Sequence, residues 1–354
     1  MNMKNNLLYF ALAAMLLGAC AKAPVEGLND DDKLYLESWI QVHHPEAQRT
    51  ALGAYILEDK PGTGAAAGTP EANPYVRVHC TASYLSGSVQ KTTEEQLSKQ
   101  LGTYKANNYY GPEIWDRSDD GLVAGIEEAV AAMRVGGSRK VVIPGWLLGY
   151  NTTTGSAYRY DTAQGYEENV SGSAPVIYEI ALEEVIPDID KWEADSAGRY
   201  IARHFPGKSV LDSLEYGMYY FRTAEPTSEE AFHKDTTIYV NYTGRRLDGS
   251  VFDTSIADTA KFYGIYSASH NYGPATVKWY GSDGTHTDIT FTSYGSTSGS
   301  SVITGFSYAL DRMRPHEKGT AIFTSVWGYG LAGSGSTIPA YSPLRFDFQI
   351  VDKP

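Results

Sequence analysis

Val240-Asn241-Tyr242-Thr243-Gly244-Arg245-Arg246-Leu247-Asp248-Gly249-Ser250-Val251-Phe252-Asp253-Thr254-Ser255 reads as two strands joined by a tight turn. Val240 and Tyr242 alternate with Asn241 and Thr243, the period of a strand buried on one face. Asp248-Gly249 is a hairpin signal, because glycine accepts the left-handed backbone such turns require. The same pattern occurs earlier: Val78-His79-Cys80-Thr81-Ala82 and Leu85-Ser86-Gly87-Ser88-Val89 precede their counterparts by 162 residues.

The repeat extends in both directions. Trp39-Ile40-x-x-His43-His44-Pro45 answers Tyr200-Ile201-x-x-His204-Phe205-Pro206 at an offset of 161, and Gly53-Ala54-Tyr55 answers Gly217-Met218-Tyr219 at 164. Leu122-Val123-Ala124-Gly125-Ile126 answers Val302-Ile303-Thr304-Gly305-Phe306 at 180, and Tyr178 answers Phe346 at 168. Six blocks in one order predict a tandem duplication. The offsets place about 18 extra residues before Gly305 in the second copy and about 12 before the last strand of the first.

Each copy begins with a helical lead-in, Asp32 to His44 and Asp190 to His204, stopped by proline. Strands follow around Tyr55, Val78, Tyr219 and Val240. One helix comes next, with Ile126, Ala129, Val130 and Met133, or Phe306, Ala309, Leu310 and Met313, on one face. Strands return at 140–144, 176–185, 320–326 and 344–351. The predicted class is α+β: two bent antiparallel sheets, each wrapped on one short helix. Domains are expected over 33–188 and 189–354, joined near Pro187–Lys191.

The second copy resembles the FKBP-type peptidyl-prolyl isomerases. The resemblance is carried by the opening hairpin, by Val302-Ile303-x-Gly305-Phe306, by Trp327-Gly328-Tyr329-Gly330, and by Ile338-Pro339 leading to Leu344-x-Phe346-x-Phe348. It implies an aromatic-lined pocket of Tyr242, Phe252, Asp253, Val302, Ile303, Phe306, Tyr329, Ile338 and Phe346. In that family pattern Tyr329 gives its hydroxyl to the substrate carbonyl, Ile303 offers a backbone amide and Phe306 forms the floor. Asp253 sits at the rim, polarising the carbonyl or ordering neighbouring tyrosines. Rotation about an X-Pro bond faces a barrier of ~18–20 kcal/mol, and an apolar pocket that lets the amide twist lowers it with no cofactor and no metal. The stretch 255–301 is longer than the usual flap and rich in Tyr263, Tyr266, Tyr272, Trp279, Tyr280 and Tyr294. Covering the pocket, extending it and binding something else are the roles open to it. The first copy has Cys80, Gln90, Lys91 and Ile126 where the second has Tyr242, Phe252, Asp253 and Phe306, so it is expected to keep the fold without the site.

At the N-terminus Lys4 precedes an apolar run from Leu7 to Leu17 that closes on Leu17-Gly18-Ala19-Cys20. That is a secretory signal, too short to span a bilayer core needing roughly 20 residues. Its end resembles the lipobox of bacterial lipoproteins, which implies lipidation at Cys20 and membrane attachment through acyl chains. Residues 21–32 read as a solvated tether. Lys22 leaves no Asp retention signal, so the expected address is the outer membrane, on either face.

Composition narrows the partners. The 354-residue chain has a formal net charge of −13, which argues against nucleic acid. Once Cys20 is lipidated only Cys80 remains of two cysteines, so no internal disulfide forms. Cys80 reads as a buried structural thiol, and His43, His44 and His204 as helix-end packing groups rather than metal ligands. The functional expectation is a lipid-anchored prolyl isomerase and chaperone acting on proline-containing exported polypeptides. The alternative is a non-catalytic FKBP-like binding subunit of an outer-membrane assembly or secretion complex. Glycan binding rests only on Tyr and Trp in Gly/Ser loops.

Overall fold

The computed structural model describes residues 27–208, 213–233, 236–279 and 289–353. The first half runs α1 (Asp30–His43), β1 (Gln48–Arg49), β2 (Tyr55–Lys60), β3 (Tyr75–Tyr84), β4 (Val89–Thr92), α2 (Glu95–Gln100) and β5 (Glu113–Asp116). It continues with α3 (Ala124–Ala131), β6 (Ser138–Ile143), α4 (Ala163–Asn169) and β7 (Val176–Ile186). The second half runs α5 (Ile189–His204), β8 (Ser213–Glu215), β9 (Met218–Ala224), β10 (Thr237–Arg246), β11 (Val251–Thr254) and α6 (Ala257–Phe262). It ends with β12 (Ala275–Trp279), β13 (Ile289–Thr292), α7 (Thr304–Arg312), β14 (Lys318–Phe323) and β15 (Leu344–Val351). Among the described residues no helix is long and apolar enough to cross a membrane. The expected signal and lipidation site at Cys20 lie outside the described residues. The tether expected over 21–32 gives way at Asp30, where the Asp run forms the first turn of α1, a favourable place for acids beside free helix amides.

Each half builds its own antiparallel sheet. The first has the order β1-β2-β6-β7-β3-β4 with β5 also on β3; the second has β13-β12-β10-β15-β14-β9-β8 with β11 also on β10. The repeat is visible in the register. Ala82 of β3 faces Tyr178 of β7, and Gly244 of β10 faces Phe346 of β15, at the sequence offsets of 162 and 168. Both hairpins bulge at the same point, after Ala82 and after Gly244. Both carry the same cross-strand pair, Thr81–Thr92 at 2.8 Å and Thr243–Thr254 at 2.9 Å.

The length differences acquire a structural meaning. The residues extra to the second copy contain β13, which pairs with β12 and extends the sheet. Those extra to the first contain α4, whose Thr162 hydroxyl accepts from Gly165 N at 3.1 Å, a side-chain cap.

One helix fills each sheet's concave side. Phe306, Ala309, Leu310 and Met313 of the second half are at most 3 % exposed; Ile126, Ala129, Val130 and Met133 occupy the same place in the first. The helix approaches its sheet closely because its second residue is glycine. A Cβ on Gly305 would lie 2.8 Å from the Phe323 ring, and one on Gly125 would lie 2.3 Å from Ile143 Cγ2. The lead-in helices cover the other faces: Leu36 and Ile40 pack on Val142 and Ile177, and Ala197, Tyr200 and Ile201 on Tyr219, Phe221 and Ile322. Helix α5 is also fixed by Glu193, which accepts from Ser325 N at 2.5 Å and Ser325 Oγ at 2.6 Å. The helix-end histidines stack on their own helices, His43 on Trp39 and His204 on Tyr200.

Candidate functional site

Strands β10, β11 and β15 and helix α7 converge on one aromatic box. Tyr242 points inward from β10 and Phe346 from β15. Phe306, near the start of α7, lies between them, with ring centroids 5.5 Å from Tyr242, 5.3 Å from Phe346 and 4.8 Å from Phe348. All three meetings are edge-on or nearly so, the arrangement that ring quadrupoles favour. Phe252 of β11 closes another wall, 5.6 Å from Phe346. Gly244 makes this possible: a Cβ there would lie 2.6 Å from Phe252 Cζ and 2.9 Å from Phe346 Cε1. Ile338 is buried in the same cluster, and Val302, Ile303 and Tyr329 pack against it while remaining partly exposed. Eight of the nine residues expected at the site thus share one cluster, and Asp253 borders it.

The polar groups stand at the rim. Tyr242 donates its hydroxyl to Asp253 Oδ2 at 2.9 Å. Burial raises the Tyr242 pKa and the nearby Asp253 charge raises it further; the same two causes raise Tyr329. Asp253 keeps its side chain open to solvent, yet the surrounding protein pushes its carboxyl above the usual range, opposed by the Tyr242 hydrogen bond and the nearby His270. Two hydroxyls and one carboxylate therefore face each other over an apolar floor. Ile303 sits just before α7 with extended backbone, φ −60° and ψ 148°, so its amide belongs to the helix end whose N–H groups lack partners within the helix. Hydrogen-bond donors at the edge of an aromatic chamber suit a bound carbonyl better than bond-breaking chemistry.

The long 255–301 stretch extends the wall. Phe291 of β13 lies 5.8 Å from Tyr242 and 5.5 Å from Phe306. Sequence reasoning missed it, although Ile289-Thr290-Phe291-Thr292 alternates as a half-buried strand does. Tyr266 and Tyr272 stack on each other at 5.2 Å.

The equivalent place in the first copy is a cavity of about 520 Å³, lined by Cys80, Ala82, Gln90, Lys91, Ile126, Tyr178 and others. Where the second copy has Tyr242, Phe252 and Phe306 the first has Cys80, Gln90 and Ile126, and the cavity beside them is bounded in part by Leu331, Ala340 and Tyr341 of the second copy. Lys91 is turned aside by Glu113 at 2.6 Å. Tyr150 donates to Gly121 O at 2.9 Å, and its hydroxyl is also reached by the Val123 amide, the counterpart of Ile303. The donor expected to be available in the second copy is thus capped from within in the first. The Cys80 thiol is buried, which pushes its pKa up to about 12.

Residues 280–351 match the family model described as FKBP-type peptidyl-prolyl cis-trans isomerase. A curated relative, the macrophage infectivity potentiator of Trypanosoma cruzi, is 29 % identical over 138 residues, 39 % of this chain; the match spans 54 % of that relative's length. Two solved structures also match. The three FKBP domains of wheat FKBP73 are 15 % identical, covering 84 % of this chain and 94 % of that one, with a TM-score of 0.28. FkpA from Escherichia coli is 18 % identical, covering 53 % and 74 %, with a TM-score of 0.29. The aromatic box takes Phe306, Tyr329, Ile338 and Phe346 from the matched segment, and over residues 280–351 this chain is similar to the FKBP-type peptidyl-prolyl cis-trans isomerases.

Proposed function

We propose that the chain is a peptidyl-prolyl cis-trans isomerase with a chaperone role toward exported proteins, lipid-anchored at Cys20 in the outer membrane, and that its second copy carries the activity. The observation that carries this reading is the box around Phe306, with Tyr242, Asp253 and Tyr329 at its rim; Phe306 and Tyr329 lie inside the segment similar to the isomerase family, and Tyr242 and Asp253 precede it. The partly exposed Val302, Ile303 and Tyr329 at the mouth of the box are the apolar surface against which the proline ring would pack, stripping water from the amide. Loss of hydration favours the twisted amide, whose nitrogen is less conjugated and whose dipole is smaller. The Tyr329 hydroxyl and the Ile303 amide are the groups placed to hold the flanking carbonyls. Asp253 orients Tyr242 and keeps the rim polar.

The test is a protease-free isomerisation assay on an Ala-Leu-Pro-Phe peptide. The expected result is a rate above background that Phe252→Ala abolishes and that Gln90→Ala, on the first copy, leaves intact. Correctly folded protein with no rate above background would refute the isomerase reading and favour the non-catalytic binding subunit. Anchoring is tested separately: Cys20→Ser is expected to stop incorporation of labelled fatty acid and to release the protein from the membrane fraction. Labelling that survives this change would refute the anchor.

A further inference from the structure

The loop that carries Tyr329 and Ile338 forms one side of the box, and its outer side is fastened to the first copy. Tyr341 donates its hydroxyl to Asp116 Oδ2 at 2.6 Å, and its ring meets Tyr75 edge-on at 5.2 Å. The Tyr109 amide donates to Ser336 O at 2.8 Å. Ser336 Oγ donates to Asn108 Oδ1 at 3.0 Å. Arg246 of β10, 4 % exposed, donates to Asn107 O at 3.0 Å and Asn108 O at 3.3 Å. It also bonds Thr337 O of the loop.

These straps reach the site through a short chain of bonds. Tyr341 N donates to Gly330 O at 3.0 Å, and Gly330 N donates to Ser325 O at 2.9 Å. Gly330 is the neighbour of Tyr329, so shifting Tyr341 shifts the backbone that aims the Tyr329 hydroxyl. Ser334 N donates to Ile338 O at 2.7 Å, which ties the strapped Ser336–Thr337 turn to the Ile338 wall. Tyr341 also has φ +53°, a left-handed conformation that costs a residue with a Cβ about 1–2 kcal/mol. Such a conformation persists only where surrounding contacts impose it, and here those contacts come from Tyr75 and Asp116.

We propose that the first copy is a positioning element for the site of the second, with Asp116 acting through Tyr341 and the Asn107–Tyr109 turn acting through Ser336 and Arg246 to hold the 329–341 loop in its working geometry. This rests on the isomerase reading. The emptied first copy then has a task in the reaction without touching substrate.

The experiment uses the full chain with Tyr341→Phe, Asp116→Asn and the pair together, plus Asn108→Ala. Two readouts are taken: kcat/KM on the prolyl peptide, and hydrogen exchange of loop amides 330–341. Losing one charge-assisted bond is expected to lower kcat/KM about tenfold and to speed exchange in the loop but not in β10 or β15. The double variant should be no worse than Tyr341→Phe alone, because Asp116→Asn acts on the loop through the Tyr341 hydroxyl, weakening by loss of charge the same bond that Tyr341→Phe removes. Asn108→Ala, which leaves Tyr341 and Asp116 untouched, should give a smaller loss with the same exchange signature. Parent-like kcat/KM in both Tyr341→Phe and Asn108→Ala, or losses that add in the pair, would overturn the proposal. An inactive parent would refute the isomerase reading instead; exchange then decides alone, and unchanged loop protection in Tyr341→Phe would overturn the positioning role.

Discussion

Phe306 and Ile126 occupy the same position in the two copies, yet truncating them should cost different amounts. Phe306 is 3 % exposed and has rings on four sides: Tyr242 at 5.5 Å, Phe291 at 5.5 Å, Phe346 at 5.3 Å and Phe348 at 4.8 Å. None of these can follow a retreating side chain far, because each is fixed to a strand. Phe306→Ala therefore leaves most of its volume as void, and should destabilise the second copy by about 3–5 kcal/mol. For a unit of this size, with roughly 2–4 °C lost per kcal/mol, that lowers its transition by about 6–20 °C. Ile126 is also buried, but it already lines a cavity of about 520 Å³. Its side chain gives up fewer contacts, so Ile126→Ala should cost the first copy only about 2 kcal/mol, the low end for such truncations. A single melting curve would mix the copies. Native-state hydrogen exchange separates them, with β15 amides reporting on the second sheet and β7 amides on the first. Equal costs, or a larger one at Ile126, would refute the reading that Phe306 is held by more close neighbours than Ile126.

Tyr329→Phe should lower kcat/KM about tenfold, the worth of one hydrogen bond to a substrate carbonyl, while the thermal transition stays within a few degrees; an unchanged rate would remove Tyr329 from the mechanism. Asp253 has its pKa raised in the folded state, so the native protein holds that proton to higher pH than the unfolded chain does. Its contribution is then most favourable at acid pH and declines as pH rises through the shifted value. Asp253→Asn, which keeps an acceptor for Tyr242, should raise the melting temperature at pH 8 relative to the parent and lose that advantage near pH 3; an advantage that grew on acidification would reverse the sign of the argument. Cys80, buried and with its pKa pushed up to about 12, should react with a thiol reagent at pH 8 only as the protein unfolds, as measured on a Cys20→Ser background; full labelling of the native protein within a minute would contradict its burial.

Much of the fold was legible because the duplication wrote it twice. Offsets of 162 and 168 in the residue order reappear as the pairing of Ala82 with Tyr178 and of Gly244 with Phe346. The nine residues expected at the site were what the resemblance to the FKBP-type isomerases implies, and eight of them meet in one cluster where the second sheet bends around its helix. The strands of the long insertion were harder to see. β12 and β13 are only five and four residues long, and at that length an alternating pattern barely stands out from an aromatic loop. Phe291 therefore came as new information, and so did the state of the first copy's chamber. Substitution tells which side chains left, but whether the walls close over the gap depends on the stiffness of the surrounding sheet. The straps across the copies had no sequence signal at all: Asn107, Asn108 and Ser336 are ordinary turn residues, and three of the bonds use backbone atoms.

The seam between the copies also imposes an order in time. The first sheet is complete when β7 ends at Ile186, and α5 begins at Ile189, so nothing later in the chain is needed to finish it. A chain delivered N-terminus first, from a ribosome or across a membrane, releases residues 330–341 only after the whole first sheet. By then Asn107–Tyr109 and Asp116 already stand on a finished surface. The last loop to be made, and the one with the strained Tyr341, settles against a template instead of searching alone. A chain built in the opposite order would have to bend that loop before anything existed to hold it.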